Sequence, residues 1–119
     1  MFTGIQVAGC GINWHLGKAL NVKYYHCNAD QGDATDASQR NIYVEYQDGW
    51  GDNYRTRNNL FVGGIFERGG GVIDHCVEVD NCTNLVFVGT EFNHVAYADK
   101  PALYVNEGDV HLYSPHFTG

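Results

Sequence analysis

An all-β solenoid is the fold class this sequence predicts, and three observations predict it. Glycine and asparagine are abundant, at 15 and 11 of the 119 residues. Both tolerate positive φ, so they punctuate short strands with tight corners. Short alternating strands recur while no window holds a sustained i, i+3, i+4, i+7 stripe, so no long helix is expected. A fixed apolar spacing also returns down the chain: an apolar residue is followed five positions later by an aromatic or a cysteine. A coil of this size cannot bury its inward face alone, whereas stacked coils build a continuous ladder. A twisted β-sandwich is the competing architecture, and the nearly constant period of the second half favours the solenoid.

The five-residue register pairs Val22 with Cys27, Phe61 with Phe66, Phe87 with Phe92 and Leu112 with Phe117. Steps between the first members are 39, 26 and 25 residues. Upstream of each lies a short strand: Ile5-Gln6-Val7, Ile42-Tyr43-Val44, Val77-Glu78-Val79 and Leu103-Tyr104-Val105. Together these make about four coils in one domain spanning 1–119, with insertions near 11–18, 29–40 and 47–57. Asn81, Asn84, Asn93 and Asn106 fall at the expected corners, where left-handed backbone and stacked amides are useful.

Composition narrows the function classes. Seven basic residues face 14 acidic ones, a formal charge of −7, which repels nucleic-acid backbones and anionic membranes. No apolar run approaches the roughly 18 residues that span a bilayer. Met1-Phe2-Thr3-Gly4 enters a strand pattern with neither a basic nor an apolar leader. Cys10, Cys27, Cys76 and Cys82 lack CxxC or zinc-finger spacing. The simplest expectation is reduced, buried cysteines acting as small hydrophobes, with disulfide and metal roles left open.

Two segments, Thr83-Asn84-Leu85-Val86-Phe87-Val88-Gly89-Thr90-Glu91-Phe92 and Asp109-Val110-His111-Leu112-Tyr113-Ser114-Pro115-His116-Phe117, resemble coils of right-handed parallel β-helices. The resemblance is to pectate-lyase-like proteins and, more narrowly, bacteriophage tailspikes. It implies an extracellular or virion-tail location, a homo-oligomer with a trimer favoured, and binding or cleavage of bacterial surface polysaccharides. It carries no catalytic motif onto particular residues. Strand character from Ile5 to Phe117 shows no cap at either end. An open solenoid edge invites association, so a fragment of a longer fibre or a subunit of an oligomer is expected.

The insertions near 11–18 and 47–57 align at the same corner of adjacent coils and hold both tryptophans. Trp14, Trp50, Tyr54, Arg55 and Arg57 are the expected ligand-binding set. Aromatic faces pack on sugar C–H faces, and arginines offer paired donors that also suit a uronate. An equally plain reading makes Trp14 and Trp50 loop anchors on the solenoid wall. Asp48, Asp52 and Glu45 are the candidate carboxylates for hydrolase or lyase chemistry, which needs suitably spaced pairs. A purely structural shaft is the third alternative. No metal ligand set and no cofactor are expected. Asp30, Asp33 and Asp36 suggest calcium only weakly, because their run departs from the EF-hand pattern.

Overall fold

The computed structural model describes residues 1–10, 12–30, 40–51, 54–67, 75–93 and 101–118. The first coils contain β1 (Phe2–Thr3), β2 (Gln6–Ala8), β3 (Ile12–Gly17), β4 (Lys23–Tyr25), β5 (Asn28–Asp30) and β6 (Arg40–Glu45). A 3-10 turn, Asp48–Trp50, precedes β7 (Thr56–Val62), β8 (Ile65–Glu67) and β9 (His75–Val79). The chain continues through β10 (Cys82–Val88), β11 (Glu91–Asn93), β12 (Leu103–Val105), β13 (Val110–Tyr113) and β14 (His116–Thr118). These strands form sheet A, β1-β4-β7-β10-β13; sheet B, β2-β5-β8-β11-β14; and sheet C, β3-β6-β9-β12. Each strand pairs in parallel with strands three places away in sequence. The chain is therefore a parallel β-helix of about 4 turns.

One backbone device repeats at every passage from sheet A to sheet B. Gly4, His26, Gly63, Gly89 and Ser114 have φ of 64°, 51°, 65°, 60° and 50°. Each directly follows a residue in the Thr3–Tyr25–Val62–Val88–Tyr113 register. The amides of the first four donate to the carbonyls of Tyr25, Val62, Val88 and Tyr113 one coil further on. This left-handed residue swings the chain between sheets without breaking the ladder. The corner also explains the five-residue spacing, since Phe61 and Phe66 are inward residues on either side of it.

The inward positions build an aromatic spine. In sheet A, Phe2 stacks on Tyr24 at 5.5 Å, Tyr24 on Phe61 at 4.1 Å and Phe61 on Phe87 at 4.9 Å. In sheet B, Phe66 stacks on Phe92 at 6.2 Å and Phe92 on Phe117 at 5.2 Å. Edge contacts join the two stacks, Phe61 to Phe66 at 5.8 Å and Phe87 to Phe92 at 5.3 Å. Sheet C closes the core with Ile42, Val44, Val77 and Val79, all fully buried. Parallel in-register stacking places like residues one above another, so the hydrophobic contacts run along the axis as well as across it.

Several interior polar groups are partnered along the same axis. Asn13 donates to the Asn41 side chain at 3.0 Å, and Asn41 donates to the Glu67 carbonyl at 2.7 Å. Asn59 accepts from the Tyr24 hydroxyl and donates to the Ala19 carbonyl. Outside, Asn84 donates to Asn58 at 3.2 Å, with both residues at positive φ, an amide ladder at the expected kind of corner. Cys27, Cys76 and Cys82 are buried free thiols and Cys10 is exposed. Burial pushes the Cys82 thiol up to about 11, which keeps it protonated and hydrophobic in character.

The register of the first coils differs from the sequence expectation. Tyr24 pairs with Phe61 and Ala29 with Phe66, so the inward couple is Tyr24/Ala29 and not Val22/Cys27. Phe2 and Val7 begin the series, paired with Tyr24 and Ala29. Ile5-Gln6-Val7 is not the counterpart of Ile42-Tyr43-Val44; that place belongs to Trp14-His15-Leu16. The stretch 11–18, expected as an inserted loop, contains strand β3 over Ile12–Gly17. A tyrosine and an alanine at ladder positions obscured the match, because both lie off the aliphatic–aromatic pattern of the later coils.

Phe87→Ala is expected to lower unfolding stability by about 3–5 kcal/mol, the range for a buried aromatic, measured by urea denaturation. Gly89→Ala meets nothing within 4 Å and is expected to cost only the ~1–2 kcal/mol of left-handed backbone. Gly64→Ala is expected to cost more, because its Cβ would stand 2.3 Å from the Cys27 carbonyl oxygen at φ +83°. Equal costs at the two glycines would contradict this close approach.

Candidate functional site

Outward side chains of sheet C form a continuous polar and aromatic strip. Its register runs His15–Tyr43–Glu78–Tyr104 across four coils. The strands alternate, so the Ile, Val and Leu on either side of these residues face the core. The His15 ring lies 5.4 Å from the Tyr43 ring, and the Arg40 guanidinium sits 4.9 Å over the same tyrosine. Arg40 pairs with Glu78. At the far end His75 stacks on Tyr104 at 5.1 Å and its Nδ1 donates to the Pro101 carbonyl at 2.6 Å. Tyr104 is 43% exposed.

The Tyr43 hydroxyl donates to Asp80 Oδ2 at 2.6 Å. Burial, then this hydrogen bond, then the charges of Asp80, Glu45 and Glu78 raise the Tyr43 pKa well above the ordinary phenol value. Three carboxylates thus act on one hydroxyl from two adjacent strands and the turn after β9. Glu45 accepts from Gln47 at 3.0 Å and meets His15 Nε2 at 3.1 Å. The Gln47 hydrogen bond, followed by the one from His15, holds the Glu45 carboxyl below the usual range.

The strip continues onto the 3-10 turn after β6. The spot above Gly17 Cα lies 3.8 Å from both Glu45 Oε2 and Trp50 Cη2, so the indole and the carboxylate both border the same glycine. Tyr46 meets Trp50 edge-on at 6.1 Å. Lys18 Nζ lies 4.5 Å over the Trp50 ring and 5.3 Å from the centre of Tyr54. Of the candidate residues, this corner holds Trp50, Tyr54 and Glu45, with Lys18, Tyr46, Gln47 and His15 around them.

Other candidate residues lie elsewhere. Trp14 is an inward residue of β3, edge-on to Phe2 at 5.9 Å and to Tyr24 at 5.7 Å, and its Nε1 donates to the Asn28 carbonyl at 3.4 Å. It shares the core and not the corner with Trp50. Arg57 belongs to sheet A opposite Thr83, with its backbone bonded to Ala19 and Asn21. Arg55 lies close enough to the Cys82 thiol to act on it electrostatically. Asp48 is exposed on the 3-10 turn, while Asp52, Asp33 and Asp36 lie outside the described residues. Asp30 is on β5, in register with Glu67 on β8. Among the described residues no group of three His, Cys, Asp or Glu side chains is arranged to hold a metal ion, and no helix is long and apolar enough to cross a membrane.

Sequence reasoning passed over Tyr43, Glu78 and Tyr104, each the middle residue of a strand it had identified. Alternation alone assigns all three to the outside of one sheet, and aligning the middle positions would have found them. No known protein family matches the chain, and neither the curated proteins nor the solved structures contain a match.

An NMR titration is expected to give Glu45 a midpoint below that of an ordinary glutamate, moved upward by Gln47→Ala. The shift is downward, so its contribution to folding is present above the ordinary glutamate range and is lost as pH falls through the lowered midpoint. An unchanged midpoint in Gln47→Ala would remove the hydrogen bond as its cause.

Proposed function

We propose that the chain is a polysaccharide-recognising β-helix module of an extracellular fibre or virion tail, binding bacterial surface glycans. The observation that carries this reading is the unbroken run from Trp50 past Glu45 and His15 to Tyr43 and Tyr104. It combines aromatic rings with carboxylates and imidazoles on a rigid sheet. Sugar rings present apolar C–H faces and a girdle of hydroxyls, so such a surface offers both kinds of contact. The flat, regularly spaced strands suit an extended polymer, and little backbone order has to be gained on binding.

Association with further copies belongs to the same reading, and the resemblance to tailspikes favours a trimer. Support comes from the outer face of sheet A, where Leu60 and Val62 lie in register with Val86 and Val88 and Tyr113 is 58% exposed. The described outward positions of β4, β7, β10 and β13 carry no carboxylate. Two copies of an acidic chain can meet there without opposing their negative charges. A mass in solution that is a multiple of 13.2 kDa is the expected result.

Cleavage is the second reading, favoured by the three carboxylates around Tyr43. Glycoside hydrolysis uses paired carboxyl groups, and the Glu45 carboxyl is held below the usual range by Gln47 and His15. New reducing ends that disappear in Glu45→Gln or Asp48→Asn would make the module a depolymerase.

Affinity electrophoresis against neutral and acidic bacterial polysaccharides tests recognition. Trp50→Ala is expected to weaken retention at least about threefold, the scale of one aromatic contact, with unfolding unchanged. Trp14→Ala is expected to do the opposite, lowering stability by about 2–3 kcal/mol for a partly buried tryptophan while folded protein keeps its affinity. Full retention by Trp50→Ala would remove the corner from the binding surface.

A further inference from the structure

We infer that the Trp50 corner holds an anion subsite, in which the Lys18 ammonium between Trp50 and Tyr54 takes the carboxylate of an acidic sugar. This rests on the glycan-recognition reading and names the chemical class that the corner selects.

The lysine is held at a cost to the backbone. Lys18 directly follows β3 at φ 59°, and the other described non-glycine residues at positive φ are Asn21, His26, Asn58, Asn84 and Ser114. Asparagine and histidine enter this region comparatively readily, and glycine does so freely. A lysine gains nothing there from its backbone. What it gains is position: its Nζ lies 4.5 Å over the Trp50 ring and 5.3 Å from the centre of Tyr54. Strain of this kind collects at ligand clamps.

The ammonium so placed lacks a partner of opposite charge. It has three donors and no acceptor, and ring faces attract its charge without taking its hydrogen bonds as an oxygen would. Acidic residues outnumber basic ones 14 to 7, yet among the described residues no carboxylate lies within ion-pair distance of it. Glu45, which borders the adjacent Gly17, is engaged by His15 and Gln47 instead. Arg57, whose backbone amide bonds to the Ala19 carbonyl, is a second cation without an ion pair among the described residues, on the strand alongside. Residues 1–29 contain Lys18 and Lys23 and neither Asp nor Glu, so the coil that carries the lysine is locally positive. The net charge of −7 arises further along the chain, and physiological salt screens it over about 8–10 Å. A carboxylate supplies charge and acceptors together, which makes the stronger class of hydrogen bond. Tyr54, 57% exposed, offers a ring to the C–H face of the same sugar.

Calorimetric titration of the full chain with galacturonate oligomers, the same oligomers as methyl esters, and galactose oligomers of equal length tests the inference. Galacturonate is expected to bind roughly two- to fivefold tighter than its ester, the scale of an exposed charge contact. Lys18→Gln is expected to remove that difference, and Lys18→Arg to keep it. Lys18→Gly is expected to remove it too, and because glycine suits the left-handed backbone this variant should unfold at no lower urea concentration than the parent chain. The loss is then read on a folded protein. Galacturonate binding no tighter than its ester, or a preference that survives in Lys18→Gln and Lys18→Gly, would overturn the inference while leaving glycan recognition standing. Failure of every oligomer to bind the folded chain would remove the recognition reading and this subsite with it.

Discussion

The left-handed residue between sheets A and B is the constraint from which the rest of this structure follows. It occurs once per coil, at Gly4, His26, Gly63, Gly89 and Ser114, and it keeps each corner at the same height above the last. Only with the corners aligned do Phe61 and Phe87, or Phe66 and Phe92, fall directly over one another. The aromatic spine is thus a consequence of corner geometry, and its stacking energy in turn holds the corners in a conformation that non-glycine residues disfavour. His26 and Ser114 show that other residues are tolerated there when the flanking strands are packed.

Sidedness comes from the same arrangement. Parallel strands that all alternate in phase send one complete set of side chains into the core and the other to solvent. The interior therefore gathers Phe, Val, Ile and Cys, and the outer surface is free to differ from sheet to sheet. Sheet A presents Leu60, Val62, Val86 and Val88, whereas sheet C presents His15, Tyr43, Glu78 and Tyr104. The two surfaces share one backbone plan and differ only in which residues occupy the outward places. Chemistry on sheet C is held by rigid strands, with one 3-10 turn adding Trp50 at its edge.

Much of the fold was legible because the later coils repeat strictly: Phe61/Phe66, Phe87/Phe92 and Leu112/Phe117 give both the period and the corner. The first coils were misread by two residues because Tyr24 and Ala29 occupy places filled by phenylalanine above them. That slip carried Trp14 from strand to loop. An indole in a segment without an obvious repeat partner looks like a surface anchor, yet its partners Phe2 and Tyr24 become visible only when the strands are laid in register. Trp50 lies on the 3-10 turn, outside the ladder, and nothing in the neighbouring coils matches it in the sequence. Its neighbours Lys18 and Glu45 come from the ends of two strands that adjoin only across the sheet, information that spacing along the chain does not contain.

Five of the side-chain bonds on the outside have a direction in common. Tyr43 to Asp80, Arg40 to Glu78, His15 to Glu45, Asn84 to Asn58 and Thr118 to Glu91 each tie one coil to the next. In a linear array, stability within a unit and coupling between units are separate quantities, and coupling decides whether the whole melts together. These clasps act on the second quantity. They add to the coupling that the backbone ladders and the aromatic stacks already supply, so weakening them makes the end coils peel away more readily before the whole array opens.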